Sequence, residues 1–124
     1  MQSTLNSIEM FSISKFNDVT ILSLGSITRL NVLNYELVQY SLFNLLKKKE
    51  EQKIVIDMDG ITFIDSAGFG MMVEIFRTAA ANEKQIFFRN LSDDLLELIR
   101  LMKLQHLFKT YEQICPVTEY SSFR

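Results

Sequence analysis

Three groups of residues in this 124-residue chain carry side chains whose types and spacing could do chemistry. The first is Asp57-Met58-Asp59-Gly60, directly after the apolar run Ile54-Val55-Ile56. Two carboxylates at a strand end can do nucleophilic or acid–base work, or simply end the strand and form its turn. The second group is nucleophilic and comprises Ser66, Cys115 and the single histidine, His106. Ser66 lacks the flanking glycines of a hydrolase elbow. His106 follows a later predicted helix, and Cys115 precedes Pro116 in a segment without periodicity. The third group is Asp65-Ser66-Ala67-Gly68-Phe69-Gly70. Here Ser66 falls at a predicted helix start, where unpaired N–H groups and the helix dipole favour negative charge. A serine at that point is first of all a good N-cap. The same helix end also tolerates a phosphate, which adds about −1.5 to −2 charge at neutral pH. Gly68 and Gly70 are two of only four glycines, and each costs about 1 kcal/mol in a helix relative to Ala. They leave the first turn bare, so that another backbone or a partner can approach.

Composition limits what such residues can serve. The length suits one domain, and 48% apolar with 23% charged residues is the profile of a globular protein. One cysteine excludes an internal disulfide framework, and nothing marks a zinc cluster or any other metal site. Thirteen basic against fifteen acidic residues leave no basic footprint for nucleic acid. No glycine-rich loop with a lysine stands ready for a nucleotide, so no cofactor is expected. No apolar run approaches the roughly 20 residues that cross a bilayer, and residues 1–9 lack the layout of a signal peptide. The expectation is a reduced, cytoplasmic, single-domain protein without membrane insertion.

The periodicities supply the elements that must hold these residues. A domain over residues 8–114 is expected, with a tail over 115–124. Residues 10–16 alternate loosely, stop at Asn17-Asp18, and are followed by the aliphatic run 19–24 that ends at Gly25. Leu37, Val38, Ser41, Leu42, Leu45 and Leu46 form one stripe of a helix, which Asn31 or Asn34 can cap and Lys47-Lys48-Lys49 close. Its other face carries Glu36, Tyr40, Phe43 and Lys47, and two outward aromatics suggest a contact, a homodimer among the options. Residues 53–58 read as a strand buried on both faces. A second helix carries Phe69, Met72, Val73, Phe76 and Ala80; a strand spans 85–89. Ser92 caps a third helix with Leu95, Leu96, Ile99 and Met102 inward, and residues 107–111 suggest a last short strand. The order β-β-α-β-α-β-α-β implies an α/β fold, its sheet mainly parallel with an antiparallel pair at the start and helices in the βα crossovers.

Two resemblances meet on these residues. Asp57-Met58-Asp59-Gly60 is similar to the nucleophile motif of haloacid-dehalogenase-like phosphatases, which place Thr directly after the Gly; this chain has Ile61 there and Thr62 one place late. Asp93-Asp94, at a predicted helix start, stands too near in sequence for their magnesium-binding pair. The wider resemblance runs over residues 8–111. Leu24-Gly25-Ser26-Ile27, the central run from Ile54 through Phe63-Ile64-Asp65-Ser66-Ala67-Gly68-Phe69-Gly70, and residues 95–108 together resemble a STAS domain, the fold of bacterial anti-sigma-factor antagonists.

That resemblance implies that Ser66 is the phosphoacceptor of an anti-sigma-factor kinase. The unphosphorylated form would bind the kinase and release a sigma factor, acting as substrate and binding module rather than enzyme. It also implies a partner-binding surface of Asp65, Ala67, Gly68 and Met71, with Thr28 and Arg29 nearby and Arg29 able to pair with a phosphate. The chain departs from the family pattern in three places. Ala67 stands for a second hydroxyl, Thr28 for an Asp, and Lys103 for a Gly after the third helix. The alternative implied function is a STAS scaffold that binds signalling or transport partners without phosphorylation.

Overall fold

Asn17, with its short polar side chain, takes the left-handed φ of 58° that turns β1 (Ser12–Phe16) into β2 (Val19–Ser23). The two strands pair antiparallel, Phe16 opposite Val19. This computed structural model describes residues 11–50 and 52–111. Within them follow β3 (Arg29–Leu30), α1 (Tyr35–Lys47), β4 (Lys53–Asp57), β5 (Phe63–Ile64), α2 (Ser66–Ala81), β6 (Gln85–Arg89) and α3 (Asp93–Leu101). The main sheet has the order β1-β2-β4-β6, and every pairing beyond β1–β2 is parallel. The α/β class, the mainly parallel sheet and the antiparallel opening pair are as expected. The proposed limits at Ile8 and Ile114, and Cys115, lie outside the described residues.

Alternation along β2, β4 and β6 divides the apolar residues between two faces. Leu22, Ile54, Ile56, Ile86 and Phe88 pack under all three helices, against Val38, Leu42, Met72, Ile75, Leu95 and Ile99. Val19, Ile21, Val55 and Phe87 form a smaller cluster on the opposite face, with Tyr111 against it. Burial on both faces is why the β4 segment reads as a continuous apolar run.

Several inward stripes differ from expectation. On α1, Val38, Leu42, Leu45 and Leu46 are buried, while Leu37 is exposed. Phe43, expected to face outward, packs half-buried against the core. On α2 the buried line is Gly68, Phe69, Met71, Met72, Ile75 and Ala79; Val73 and Phe76 are half-buried and Ala80 is exposed. This helix packs against α1 as well as against β5 and β6, so its buried arc is wider and rotated. Leu96 and Met102 of the α3 region are exposed, leaving Leu95 and Ile99 to anchor it. The expected last strand reduces to a single parallel bridge, Thr110 to Phe88. There Phe108 turns inward, stacked on Phe88 at 4.7 Å and edge-on to Phe76 at 5.4 Å.

Two helix ends use left-handed residues that are not glycine. Glu83 follows α2 at φ 58° and Lys103 follows α3 at φ 59°. Behind each, the chain closes the last turn: Lys84 N–H donates to Ala79 O and Leu104 N–H donates to Ile99 O.

Candidate functional site

The start of α2 is positioned by a two-stranded ribbon. β3 and β5 run parallel, Arg29 opposite Phe63 and Leu30 opposite Ile64. The Thr62 N–H donates to Thr28 O at 2.9 Å and the Asp65 N–H to Leu30 O at 3.0 Å, extending the ladder at both ends. The chain therefore reaches α2 on a fixed track, with Asp65 as its last extended residue.

Asp65, rather than Ser66, is the N-cap. Its Oδ1 accepts from the Gly68 N–H at 2.9 Å, and its Oδ2 accepts from the Val32 N–H at 3.1 Å. One half-buried carboxylate thus satisfies a helix donor and holds the loop after β3 against the helix start. Ser66 becomes the first helical residue and is exposed. Among the described residues, no hydrogen bond engages its hydroxyl. An aspartate displaces serine from the capping role because its two oxygens serve both segments at once.

The other expected contact residues divide. Gly68 is buried, and a Cβ there would lie 2.6 Å from Leu30 O and 2.7 Å from Ile64 Cγ2. Its missing side chain admits β3 and β5 to the helix, not a partner. Met71, at 3% exposure, belongs to the core and cannot be contact surface. Ala67 and Asp65 are half-buried. Gly70 is exposed, with open space where a Cβ would stand. Thr28 and Arg29 are exposed on the ribbon, and the Arg29 guanidinium lies 5.8 Å over the Phe63 ring, three residues before Ser66.

Sequence reasoning missed the apolar rim of this site. Val32 and Leu33 project from the loop tied to Asp65, and Phe63 is exposed on β5. The signal for Phe63 was present, since Ile61 and Ile64 point inward and leave Thr62 and Phe63 outward. The loop after β3 carries no periodicity to read. It is held by asparagines: Asn31 Oδ1 accepts from Leu33 N–H, Asn34 Oδ1 from Asn31 N–H, and Asn34 Nδ2 donates to Arg29 O. Neither asparagine caps α1 through its side chain, because both amides are spent bracing this turn.

The Asp57–Asp59 pair does different work. Asp57 Oδ2 accepts from Arg89 Nε at 3.3 Å and Nη2 at 3.2 Å, and Oδ1 accepts from Asn90 Nδ2 and the Asp59 N–H. Both oxygens are occupied in joining the ends of β4 and β6, while Gly60, at φ 88°, makes the turn beyond Asp59. His106 is exposed in the turn after α3. Among the described residues, no three His, Cys, Asp or Glu side chains cluster to hold a metal ion.

The order of elements, the ribbon and the exposed serine after an aspartate agree with a wider match. The sequence profile described as the STAS domain covers residues 11–115. The chain belongs to the STAS domain family. Among solved structures, the Thermotoga maritima protein TM1081 matches with a TM-score of 0.73 and 23% identity, over 93% of this chain and 97% of that one. The Bacillus protein SpoIIAA matches in its phosphorylated form with a TM-score of 0.60 and 13% identity, over 92% and 99% of the two chains. Its unphosphorylated form, named an anti-sigma factor antagonist, matches with a TM-score of 0.64 and 15% identity, over 83% and 90%. At these identities the likeness is one of fold. Within this STAS domain, Lys103, which stands where the family pattern has glycine, takes a left-handed φ of 59° after the third helix. Among the described residues, no helix is long and apolar enough to cross a membrane.

Proposed function

We propose that this STAS domain is an anti-sigma-factor antagonist switched by phosphorylation of Ser66. The observation that carries the reading is an exposed serine hydroxyl at the first position of α2, beside an aspartate that has already taken the capping role. A modifying enzyme can use that hydroxyl without dismantling the helix start. The existence of SpoIIAA in phosphorylated and unphosphorylated forms supports the assignment by analogy of fold. In the reaction, the Ser66 oxygen attacks the γ-phosphorus of ATP held by a serine kinase. The new O–P bond forms as the bond to the β-bridging oxygen breaks, ADP departs, and the hydroxyl proton passes to a base on the kinase.

The unphosphorylated form binds the kinase through the ground around Ser66: Thr28, Arg29, Ala67 and Gly70, with the apolar rim of Val32 and Phe63. This occupies the kinase and releases a sigma factor. A phosphate at Ser66 sets a dianion among apolar contacts, and its desolvation and repulsion break the complex. Arg29, resting on Phe63, is the cation placed to meet either that phosphate or an acidic partner group. The protein acts in the cytoplasm as a substrate and binding module, not an enzyme, and contacts protein rather than nucleic acid.

Site-resolved mass spectrometry on protein from its own host, growing and stressed, tests the reading. Phosphate on Ser66 whose occupancy changes with condition is the expected result. In binding assays with the co-purifying kinase, Ser66→Ala keeps its affinity and Ser66→Asp loses most of it; equal affinities remove the switch. A standing scaffold is the second reading, favoured by the exposed apolar residues Leu33, Leu37 and Tyr40. A Ser66 unmodified in every condition, in protein that still co-purifies with a partner, would establish it.

A further inference from the structure

The outward face of α1 carries apolar side chains that no part of the described fold covers. Within α1, Leu37, Tyr40, Asn44 and Lys47 recur at steps of three, four and three residues, opposite the buried line Val38, Leu42, Leu45 and Leu46, and Leu33 stands in the turn just before the helix. Leu33 is 89% exposed, Tyr40 69% and Leu37 40%. Such steps keep one seam on one side of a helix and are the spacing by which two helices interlock at a shallow angle. Phe43 is absent from the seam because it packs against the core.

The charges on this face select the occupant. Glu36 stands in the first turn beside the seam and Lys47 in the last turn at the seam's end, both exposed. A second copy laid parallel would set Glu36 against Glu36 and Lys47 against Lys47. Laid antiparallel, with Tyr40 near a two-fold axis, each Glu36 reaches the last turn of the other copy, where Lys47 stands. Leu37 then meets the region of Phe43 and Asn44, and Leu33 lies along the aliphatic stem of the opposite Lys47. A two-fold axis requires a patch to be complementary to itself, and an apolar line with acid at one end and base at the other meets that condition.

We propose that this face joins two copies of the chain as an antiparallel α1–α1 dimer. The dimer does not depend on phosphorylation of Ser66, so its failure would leave the switch intact. Light scattering on the full chain across a micromolar concentration range tests it. The mass should double with concentration, and Tyr40→Glu should hold it at one chain with an unchanged circular dichroism spectrum. Glu36→Lys alone and Lys47→Glu alone should each weaken association roughly tenfold by placing like charges together twice. An equimolar mixture of those two variants should recover it, because both cross-copy pairs are then opposite in sign. A wild-type chain that stays single at every concentration, a dimer that survives Tyr40→Glu, or a mixture no stronger than its parts would each overturn the proposal.

Discussion

Asp65 and Ser66 stand side by side at the start of α2 but are engaged differently. The carboxylate caps α2 and ties down Val32, which leaves the hydroxyl outside the structural hydrogen bonds. Asp65→Ala should lower stability by about 1–2 kcal/mol, measured by urea unfolding, from loss of the cap alone. Asp65→Asn should recover part of it, since the amide oxygen still accepts from Gly68. The two glycines that follow are opposites. Gly68→Ala forces a methyl into the carbonyl of Leu30 and should cost about 1–3 kcal/mol. Gly70→Ala meets open space and should raise stability by about 0.5–1 kcal/mol. Opposite signs in one denaturation series would verify that the first glycine serves packing, and two equal losses would refute it.

At the scale of elements, the ends matter more than the middles. Lys103 holds a left-handed φ that glycine adopts without strain, and the hydrogen bonds of that helix end are already made. Lys103→Gly should therefore stabilise the protein by about 1 kcal/mol, read as a higher melting temperature. The Asp57–Arg89 pair joins the last residues of β4 and β6, with side chains 12% and 25% exposed. Asp57→Ala leaves Arg89 without its carboxylate and should cost about 1–3 kcal/mol in urea unfolding. The same change tests the phosphatase motif, because a nucleophile could be removed without that structural loss.

The described residues set three helices on one face of a mainly parallel sheet, and bring the exposed Ser66 hydroxyl to one helix end and an apolar seam to another helix. The two surfaces meet at Val32 and Leu33, where the loop pinned by Asp65 leads into α1. If the seam pairs two copies, the melting temperature should rise with protein concentration in the wild type and lose that dependence in Tyr40→Glu. A melting temperature independent of concentration in both would separate the seam from any role in self-association.

Much of this arrangement was legible in the residues. The two-residue strands β3 and β5 are too short to show a period, but the main-sheet strands, the buried β4 and the Ser92 cap all follow from local periodicity and turn chemistry, which act over a few neighbours. The division of labour inside the site does not. That Asp65 caps in place of Ser66 depends on Val32, thirty-three residues away, offering a second donor to the same carboxylate. That Gly68 and Met71 are interior while Phe63 and Val32 are rim depends on how closely α2 seats on the β3–β5 ribbon. Phe43 and Leu37 exchanged their expected places for a similar reason, since the depth of α1 against α2 decides which flank of an apolar stripe is covered. Spacing along the chain determines which residues share a face, whereas burial of that face requires the other chain segments that pack on it, and only tertiary structure supplies them.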